Sequence, residues 1–339
     1  NYDHFTLLHE TGHALGLKHA HESTGFGKVA TAWDSVEFSV MSYRSFVGAS
    51  APSYKFEKAG APQSYMMLDI AALQHMYGAD FTTNSGDTTY SWRPNSGVTY
   101  VNGSAAISPV ANRVFATIWD GGGTDTYDLS LYSSDLRLDL RAGKSSIFSS
   151  TQLADLGGGP NDGHARGNIF NALLYRGDER SLIERALGGS GDDRILGNEA
   201  NNRLIGNDGE DCLVGYEGAD LLIGGAGADI FRFLSARDSR PGAADRICAG
   251  GGVVAFEGAG APGGDRIDLR SIDADITRAG DQAFQFGTAR DKGHLWLVEV
   301  GNVTLVRGNV DGDAAVEFEI AIHDGAVRAS AYAAADFLL

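Results

Sequence analysis

The chain has 339 residues, with 27 basic and 44 acidic side chains and a formal net charge of −17. Such acidity argues against nucleic-acid binding, which needs basic patches to neutralise phosphates, and no stretch approaches the ~18 apolar residues of a membrane-spanning helix. The 46 glycines against 7 prolines exclude collagen and indicate a glycine-rich repeat, while two cysteines, Cys212 and Cys248, are too few for a disulfide framework, although one bridge between them remains open.

The first predicted element is a helix over Thr6–Leu17, which carries two histidines four residues apart. His9 and His13 therefore lie on one helix face, where both imidazoles can bind the same metal ion. Glu10 lies between them in sequence and could act as general base toward a water molecule at that metal. The helix thus predicts a metal-dependent hydrolytic site.

A third candidate ligand follows within the segment HETGHALGLKH. Gly16 tolerates positive φ and can end the helix, so that the chain turns back and brings His19 to the metal. This extended pattern is the metzincin signature for zinc. It is far stricter than HExxH alone, and we therefore interpret it as one catalytic zinc site rather than a chance run of histidines.

The segment SVMSY, which includes Met41 and Tyr43, follows the histidines. It matches the Met-turn of metzincins, in which the polarizable thioether of Met41 would form the floor of the zinc site. Tyr43 could bind zinc through its phenolate or donate a hydrogen bond to a reaction oxyanion. Without the zinc motif, both side chains would be interpreted as core residues.

A second helix is predicted over Met66–Tyr77, with His75 packed on its apolar face. Between residues 81 and 186, short strand-like runs alternate with turn residues, and Val114–Trp119 and Leu136–Leu140 are the clearest strands. The tail after residue 245 contains further strand candidates at Arg266–Leu269, His294–Val300 and Val316–Ile322.

Residues 188–232 form an internal repeat with a period of nine. The units are GGSGDDRIL, GNEANNRLI, GNDGEDCLV, GYEGADLLI and GGAGADIFR. They fit the G-G-x-G-x-D-x-U-x pattern of a calcium-binding parallel β-roll. Two units make one turn of such a roll, so the sixth residues of alternate units face each other. The resulting pairs are Asp193/Asp211, Asn202/Asp220 and Asp211/Asp229.

Carboxylates and backbone carbonyls are the ligands that calcium prefers, so the repeat predicts several structural Ca²⁺ ions. The same period reaches acidic residues beyond both ends of the repeat, whereas Ala200 and Asn202 weaken one unit. The predicted ligands are Glu184, Gly188, Ser190, Asp193, Gly206, Asp208, Asp211, Gly215, Glu217, Asp220, Gly224, Ala226, Asp229 and Asp238. Without calcium the stacked carboxylates should repel one another, and the roll should unfold.

Several segments resemble the serralysins, which are secreted bacterial metalloproteases of the metzincin clan with a C-terminal RTX β-roll. In chain order they are HETGHALGLKH, SVMSY, LDIAALQHMYGA, TIWDGGGTDTYDLS, the nonapeptides and AADFLL. The resemblance covers essentially the whole chain. It implies that His9, His13 and His19 hold zinc and that Glu10 acts as general base in peptide hydrolysis of broad specificity. One departure is Ala20, where serralysins usually carry proline.

The resemblance also implies a calcium site in a glycine-rich loop, with ligands at Asp120, Gly122, Gly123 and Asp125. The partner segment that serralysins supply, an Arg-x-Asp-x-Thr run, has no clear equivalent near Ser96–Asn102. A third loop, Asn309–Asp313, resembles a calcium loop but lacks the final glutamate of an EF-hand. We interpret this third loop as a plain turn, with a calcium loop as the alternative.

The predicted fold is an α+β metzincin catalytic portion over residues 1–80, which contains the zinc helix and the Met-turn. An all-β RTX domain, a parallel β-roll with a β-sandwich, is predicted over residues 81–339. Because only eight residues precede His9, we expect the chain to be the C-terminal piece of a longer protease. The upstream part, which would align substrate along a sheet edge, is then an expected partner.

The function expected from the resemblance is that of a secreted, calcium-stabilised zinc endopeptidase that acts on polypeptides and is open to a proteinaceous inhibitor. The end of the chain, 336–339, resembles the C-terminal signal read by type I secretion machinery, and the alternative is an ordinary final strand. Two other functions stay open. One is an inactive zinc-binding fragment, and the other is a non-enzymatic calcium-folded module, which accounts for residues 188–339 but not for HETGHALGLKH.

Overall fold

A computed structural model describes residues 2–25, 27–50, 54–313 and 315–339. Within these residues, no helix is both long enough and apolar enough to cross a membrane. The chain divides into two compact units. The first comprises Asn1–Leu131 and Arg137–Ile183, and the second comprises Tyr132–Leu136 and Glu184–Leu339. The boundary predicted after residue 80 describes another division of the chain, and it stays a prediction.

The first unit holds two α-helices close to the predicted ones, α1 over Tyr2–Ala14 and α2 over Met67–Tyr77. Gly16 lies just beyond α1 with a φ of 94°, as a helix stop requires. Short 3₁₀ turns lie at Thr31–Trp33, Ser150–Gln152 and Glu179–Ser181. The prediction of a packed His75 is wrong, because α2 buries its neighbour Gln74 and leaves the imidazole exposed.

Within the described residues of the first unit, the strands pair in two groups. In one, the strands follow the order β5-β1-β2-β3, with β5 parallel to β1 and the others antiparallel. In the other, β8 lies between a parallel β4 and an antiparallel β7. The strands are β1 Thr89–Arg93, β2 Ser96–Val101, β3 Ser104–Ile107, β4 Ala116–Ile118, β5 Thr126–Asp128, β6 Arg137–Asp139, β7 Ser145–Ser146 and β8 Ile169–Asn171.

An apolar cluster joins α1 to the loops of the first unit. Phe5 of α1 belongs to it together with Val40 and Met41 of the Met-turn segment and with Phe115 and Phe170. Burying a side chain of this size contributes about 1.5–3 kcal/mol. The cluster therefore fixes the histidine-bearing helix against the segment that carries the predicted floor of the zinc site.

The second unit is built from strands that alternate between two parallel layers. Its strands are β9 Arg185–Leu187, β10 Arg194–Leu196, β11 Arg203–Asp208, β12 Cys212–Val214, β13 Leu221–Ala226, β14 Ile230–Arg232, β15 Asp245–Cys248, β16 Arg266–Asp268, β17 Gln285–Phe286, β18 His294–Val300, β19 Val303–Asn309, β20 Phe318–His323 and β21 Phe337–Leu338. Short 3₁₀ turns lie at Ala329–Ala331 and Ala334–Asp336. Odd strands from β9 to β15 lie in one layer, and even strands from β10 to β16 lie in the other. The chain is thus mostly β, as predicted for its C-terminal part.

The predicted pairing of alternate nonapeptides is confirmed by the strand register. Arg203 pairs with Leu221, and Arg194 pairs with Cys212, each one double unit further along the chain. The eighth residue of every unit is fully buried between the layers, namely Ile195, Leu204, Leu213, Leu222 and Phe231. The nine-residue period therefore follows from burying one apolar side chain per short strand.

The tail returns to both layers. The order β17-β18-β19-β20-β15 continues the first layer with antiparallel strands β18 to β20, whereas β21 pairs in parallel with β16 in the second. The alternative of a final strand at the chain end is thus confirmed, and the secretion signal stays a prediction. Cys212 and Cys248 are both free thiols, so the bridge between them is absent.

Candidate metal centres

Three imidazoles converge beside α1. The ligand nitrogens of His9, His13 and His19 all lie within 4.8 Å of one another, and Nε2 of His13 lies 3.0 Å from Nε2 of His19. His9 and His13 come from α1, and His19 comes from the loop that follows Gly16. The structure therefore brings together the three residues that the sequence pattern singled out.

Each imidazole directs its Nδ1 toward an oxygen of the protein. The contacts are His9 to the Val40 carbonyl (2.8 Å), His13 to the Leu17 carbonyl (2.9 Å) and His19 to a carboxylate oxygen of Glu22 (2.6 Å). Because these oxygens can only accept, Nδ1 carries the proton and Nε2 keeps its lone pair. Such outer hydrogen bonds orient metal-binding histidines and fix their tautomer.

The donor set fits zinc. Zinc–nitrogen distances of 2.0–2.1 Å in a tetrahedral site place two ligand nitrogens about 3.3 Å apart, close to the 3.0 Å between Nε2 of His13 and Nε2 of His19. His9 is 6% exposed. Burial is the main cause that lowers its pKa, and it therefore favours the neutral imidazole that a metal requires. Residues His9, His13 and His19 would hold the ion.

Met41 packs against α1, and its predicted role as the floor of a zinc site stays a prediction. It is 2% exposed, and a Cβ added to Gly12 would lie 2.7 Å from its sulfur. Gly12 is thus the residue that lets the helix approach the thioether. Sequence reasoning missed it, although its place inside the histidine motif was a usable signal.

Tyr43 lies beside the third histidine. Its hydroxyl is 2.7 Å from Nε2 of His19, and its ring stacks on His9 with 5.7 Å between centroids. Glu10 is exposed on α1, one residue from His9. The roles predicted for Tyr43 and Glu10 in catalysis stay predictions, and the structure places both residues next to the imidazole cluster.

A buried aspartate of α2 holds the Met-turn segment. Asp69 accepts hydrogen bonds from the Val40 N–H (2.7 Å) and the Ser39 hydroxyl (2.6 Å), and Val40 in turn supplies the carbonyl for His9. At 2% exposure, burial raises the pKa of Asp69 to about 6. This residue was also missed, because nothing in the sequence says which backbone groups its carboxylate meets.

The repeat region builds two ladders of stacked side chains. The Asp193 N–H donates to Oδ1 of Asp211 (2.8 Å), and the Asp211 N–H donates to Oδ1 of Asp229 (3.0 Å), each 18 residues further along the chain. The second ladder begins with the Asn202 N–H, which donates to Oδ1 of Asp220 (2.7 Å). The predicted pairs of sixth residues are therefore adjacent.

The second carboxylate oxygen of three ladder aspartates lies against a glycine. Oδ2 of Asp211, Asp220, Asp229 and Asp245 is buried without a hydrogen-bond donor among the described residues. A Cβ on Gly206, Gly215 or Gly224 would overlap Oδ2 of Asp211, Asp220 or Asp229, respectively. Buried anionic oxygens without partners are costly. Oxygen-rich sites of this kind fit calcium, with the aspartates and the nearby backbone carbonyls as the donor set.

The repeat unit that contains Asn202 pairs its buried polar atoms without a cation. Asn202, at the position that is aspartate in the other units, donates through Nδ2 to the Glu184 carbonyl (3.3 Å) and to Oδ1 of Asn198 (3.0 Å). Its Oδ1 accepts the Asn198 N–H (2.6 Å). The amide therefore replaces with hydrogen bonds what a carboxylate would need a cation to provide.

The 18-residue spacing is kept at Glu184 but not after Asp220 in one ladder or Asp229 in the other. The Glu184 carbonyl accepts the Arg203 N–H, in register with the ladder. At the other end, the N–H of Asp220 donates to Oδ1 of Asp245, 25 residues on. The N–H of Asp229 donates to Oδ1 of Asp265, 36 residues on. Asp238, which the period predicts as a ligand, instead accepts hydrogen bonds from the N–H groups of Leu234 and Ser235. Its negative charge helps to raise the pKa of Asp220.

The other predicted calcium ligands lie along the same turns. Their burial differs by type: the glycines are buried, and the residues two positions further on are exposed or half-buried. The buried ones are Gly188, Gly206, Gly215 and Gly224, and the others are Ser190, Asp208, Glu217 and Ala226. Their role as ligands stays a prediction.

The glycine-rich loop of the first unit meets a segment that the sequence analysis did not consider. Asp120 and Asp125 are buried; Asp120 accepts the Tyr90 hydroxyl (2.8 Å), and Asp125 accepts the Thr88 N–H (2.8 Å). A Cβ on Gly123 would press on the Gly86 carbonyl. The segment packed against the loop is therefore 84–88 rather than Ser96–Asn102, and the calcium site itself stays a prediction.

The third loop is shaped by local turns. Asp311 donates its N–H to Oδ1 of Asn309, and Asp313 donates its N–H to Oδ1 of Asp311. Carboxylate oxygens of Asp311, Asp313 and Glu317 lie within 4.8 Å of one another. The turn and calcium-loop alternatives for this segment both stay predictions.

Comparison with known proteins gives a family match. Residues 79–338 match the family model for the C-terminal part of serralysins of peptidase family M10. Among solved structures, the AlgE6R3 subunit of the Azotobacter vinelandii mannuronan C5-epimerase is 27% identical and covers 45% of this chain and 76% of that chain. Its TM-score of 0.33 is too low to argue a shared overall arrangement.

Curated relatives are longer than this chain. Metalloprotease AprA of Pseudomonas entomophila is 36% identical over 315 residues, which cover 89% of this chain and 59% of that protein. Serralysin B of Dickeya chrysanthemi is 37% identical over 202 residues, which cover 57% of this chain and 36% of that protein. Serralysin of Proteus mirabilis is 33% identical over 199 residues, with 57% and 35% covered. The chain thus spans between about a third and three fifths of the length of these relatives.

Replacing Gly12 by alanine should disturb the imidazole cluster through Met41. The added methyl group meets the thioether at 2.7 Å, and overpacking of this kind costs about 1–3 kcal/mol, against about 1 kcal/mol gained in helix propensity. We expect weaker zinc binding in a competition titration and lower stability in denaturant. Gly287→Ala, where no atom lies within 4 Å of the new Cβ, is the control. Wild-type zinc affinity in Gly12→Ala would contradict the packing argument.

Replacing Asn202 by aspartate should make its repeat unit depend on calcium. Both Nδ2 hydrogen bonds are lost, and the new carboxylate oxygen is buried without a donor in their place, at a cost of about 1–3 kcal/mol without the cation. Thermal unfolding in chelator should fall, and added calcium should restore it. Asn201→Asp is the matched control, because this exposed residue keeps its acceptor bond to the Ala219 N–H (2.8 Å). Equal effects of the two substitutions would refute the role of the amide.

Without calcium, the ladders should be more stable in mild acid than at pH 8. Burial, with repulsion between the carboxylates, raises the pKa of Asp211 to about 8, of Asp229 to about 7 and of Asp193 to about 6. Because these values exceed the unfolded value of about 3.9, this contribution is complete below pH 4 and is lost as pH rises through 6 to 8. Urea unfolding followed by circular dichroism in chelator measures it, and a midpoint that increases from pH 5 to pH 8 would contradict it.

Proposed function

Because this chain belongs to the serralysin family of M10 peptidases, we propose that it supplies the zinc centre and the calcium-binding part of a secreted endopeptidase that hydrolyses polypeptides. The convergence of His9, His13 and His19 within 4.8 Å carries this proposal. Three outward Nδ1 contacts leave three lone pairs facing one another. A structural role alone would not require this arrangement.

Bound zinc would supply Lewis-acid polarisation of the scissile carbonyl and of the attacking water. Glu10, exposed beside His9, is proposed to accept the proton of that water and to pass it to the leaving amine. Tyr43 is proposed to donate its phenolic hydrogen bond to the oxyanion that develops on the carbonyl. A hydroxyl 2.7 Å from Nε2 of His19 supports this, since it already lies at the edge of the cluster.

The metzincin catalytic fold over residues 1–80 belongs to the same proposal. The chain spans 36% of Serralysin B, so we assign the remaining walls of the substrate cleft to sequence outside this chain. Polypeptide substrates and a proteinaceous inhibitor would meet the site through that cleft. The apolar packing of Phe5, Val40 and Met41 supports a catalytic portion whose zinc helix and floor are already assembled.

For the repeats we propose a β-roll that folds when Ca²⁺ binds. The unpartnered Oδ2 atoms of Asp211, Asp220, Asp229 and Asp245 support this. Low calcium in the cytosol would keep the roll unfolded for type I export, and millimolar calcium outside would fold it. The segment Asp336–Leu339 is the proposed export signal, and the extracellular space is the proposed location.

The non-enzymatic alternative, a calcium-folded binding or secretion module, is favoured by the ladders alone. It gives no reason for three converging imidazoles or for the contact between Asp69 and the Met-turn segment. A zinc-loaded but inactive fragment is the remaining alternative. Hydrolysis of an unfolded protein separates the endopeptidase from both alternatives, and zinc binding separates the inactive fragment from the calcium-folded module.

In millimolar calcium, the chain together with the upstream part of the protease should cleave casein, and a zinc chelator should stop the cleavage. Glu10→Ala should keep one zinc per chain and lose at least about 100-fold in rate, the usual contribution of a general base. Asp3→Asn, an exposed carboxylate on the same helix, is the control and should keep its activity. Cleavage by zinc-replete Glu10→Ala would refute the role of Glu10, and zinc binding without any cleavage by the wild type would refute the endopeptidase function for this chain.

A further inference from the structure

The three imidazoles do not share one kind of outer partner. His9 and His13 donate to backbone carbonyls, whereas His19 donates to the carboxylate of Glu22 at 2.6 Å. A charged acceptor forms a shorter and stronger hydrogen bond than a carbonyl. Among the three candidate ligands, His19 is therefore the one whose basicity a side chain can raise.

His19 is also the ligand that no helix positions. It lies beyond Gly16, in a loop that contains glycines with positive φ at Gly25 and Gly27. The N–H of Glu22 donates to the His19 carbonyl (3.2 Å), which forms the turn that returns the carboxylate to the imidazole of the same loop. The contact between Glu22 and His19 is thus local, and it depends on the conformation of this loop.

Lys18 braces that loop. Its ammonium group donates to the carbonyl of Glu22 (2.8 Å), to that of Gly27 (2.6 Å) and to that of Thr24. One cation therefore ties together three backbone oxygens that would otherwise be free to turn away. The bond to Glu22 holds the backbone that carries the carboxylate.

A backbone hydrogen bond also joins the loop to the Met-turn segment. The N–H of Ala20 donates to the Met41 carbonyl (3.2 Å), and the Ala20 carbonyl accepts the Val29 N–H (2.9 Å). The family resemblance would place proline at position 20, and proline has no N–H to donate. The departure at Ala20 therefore adds a bond that positions the third ligand.

We propose that Glu22 is a positioning residue for zinc, which fixes His19 in the Nδ1–H tautomer and strengthens its Nε2 as a donor, with Lys18 as the brace of the loop. The proposal rests on the zinc centre of the proposed function but not on hydrolysis. Its physical basis is that a carboxylate bonded to a ligating imidazole raises ligand basicity, and that loss of such a partner typically costs 10–100-fold in metal affinity.

A surface ion pair would behave differently. The side chains of His19 and Glu22 are 19% and 39% exposed, and an exposed pair of this kind contributes little to folding and is screened by salt. A positioning role instead predicts an effect on zinc affinity that survives high salt, because salt screens charges over distances longer than a 2.6 Å contact. Folding stability should barely change.

The test compares zinc dissociation constants, measured by competition with a chromophoric chelator at pH 7.5, in 0.05 M and 0.5 M salt. Glu22→Ala should lose 10–100-fold in affinity at both salt concentrations, and Glu22→Gln, which keeps an oxygen acceptor, should lose less. Asp3→Asn, which removes the same charge from the neighbouring helix, should bind like the wild type. Lys18→Met should weaken binding by an intermediate factor.

A spectroscopic measurement on the cobalt-substituted protein isolates the tautomer. The exchangeable Nδ1–H signal of His19 should broaden or disappear in Glu22→Ala, while those of His9 and His13 persist. Unchanged affinity in Glu22→Ala, an equal loss in Asp3→Asn, or a loss that vanishes at 0.5 M salt would overturn the proposal. Wild-type protein that binds zinc but, together with the upstream part of the protease, does not cleave casein would overturn only the proposed function, whereas wild-type protein that takes up no zinc would overturn both.

Discussion

A buried carboxylate that accepts a backbone N–H is the interaction on which both metal-binding regions depend. Asp69 accepts the N–H of Val40, and the ladder aspartates accept the N–H of the residue one double unit earlier. In each case one carboxylate oxygen is committed to the fold. What the other oxygen meets decides the result: for Asp69 it is the Ser39 hydroxyl, and for Asp211 it is no donor among the described residues.

This difference separates a fold that is complete in itself from one that needs a cation. Around the imidazoles, hydrogen bonds reach from Asp69 through Val40 to His9, and the apolar cluster around Phe5 and Met41 holds the same groups in place. The ladders leave the second oxygens of Asp211, Asp220 and Asp229 without a donor among the described residues, and burial raises the pKa of Asp211 to about 8. Asn202 is the intermediate case. It lies at a ladder position, but its side-chain amide donates two hydrogen bonds where a carboxylate would need a cation.

Sequence reasoning succeeded where the spacing of residues along the chain directly determines their positions in space. The histidines at positions 9 and 13 share a helix face, and the nine-residue units repeat because each buries one apolar residue, such as Ile195 or Leu204. It failed where the partner is remote in sequence. The contact of Asp125 with Thr88 and the register of Asp220 with Asp245 depend on loops whose course no local pattern encodes. The exposure of His75 was missed for a related reason, because the apolar residues around it do not say which face α2 buries.

The pairing of β21 with β16 has a consequence for the edge of the second layer. Phe337 and Leu338 form the last strand of the second layer in sequence, and they pair with Ile267 and Asp268 of β16. Asp336, 1% exposed, caps this junction by accepting the N–H groups of Gly260 and Ala333. Without β21, β16 would present an open row of amide and carbonyl groups on that side, which an extended polypeptide can occupy. Loss of the terminal residues would thus replace the two-residue edge strand β21 with the longer edge of β16, which is a better template for self-association.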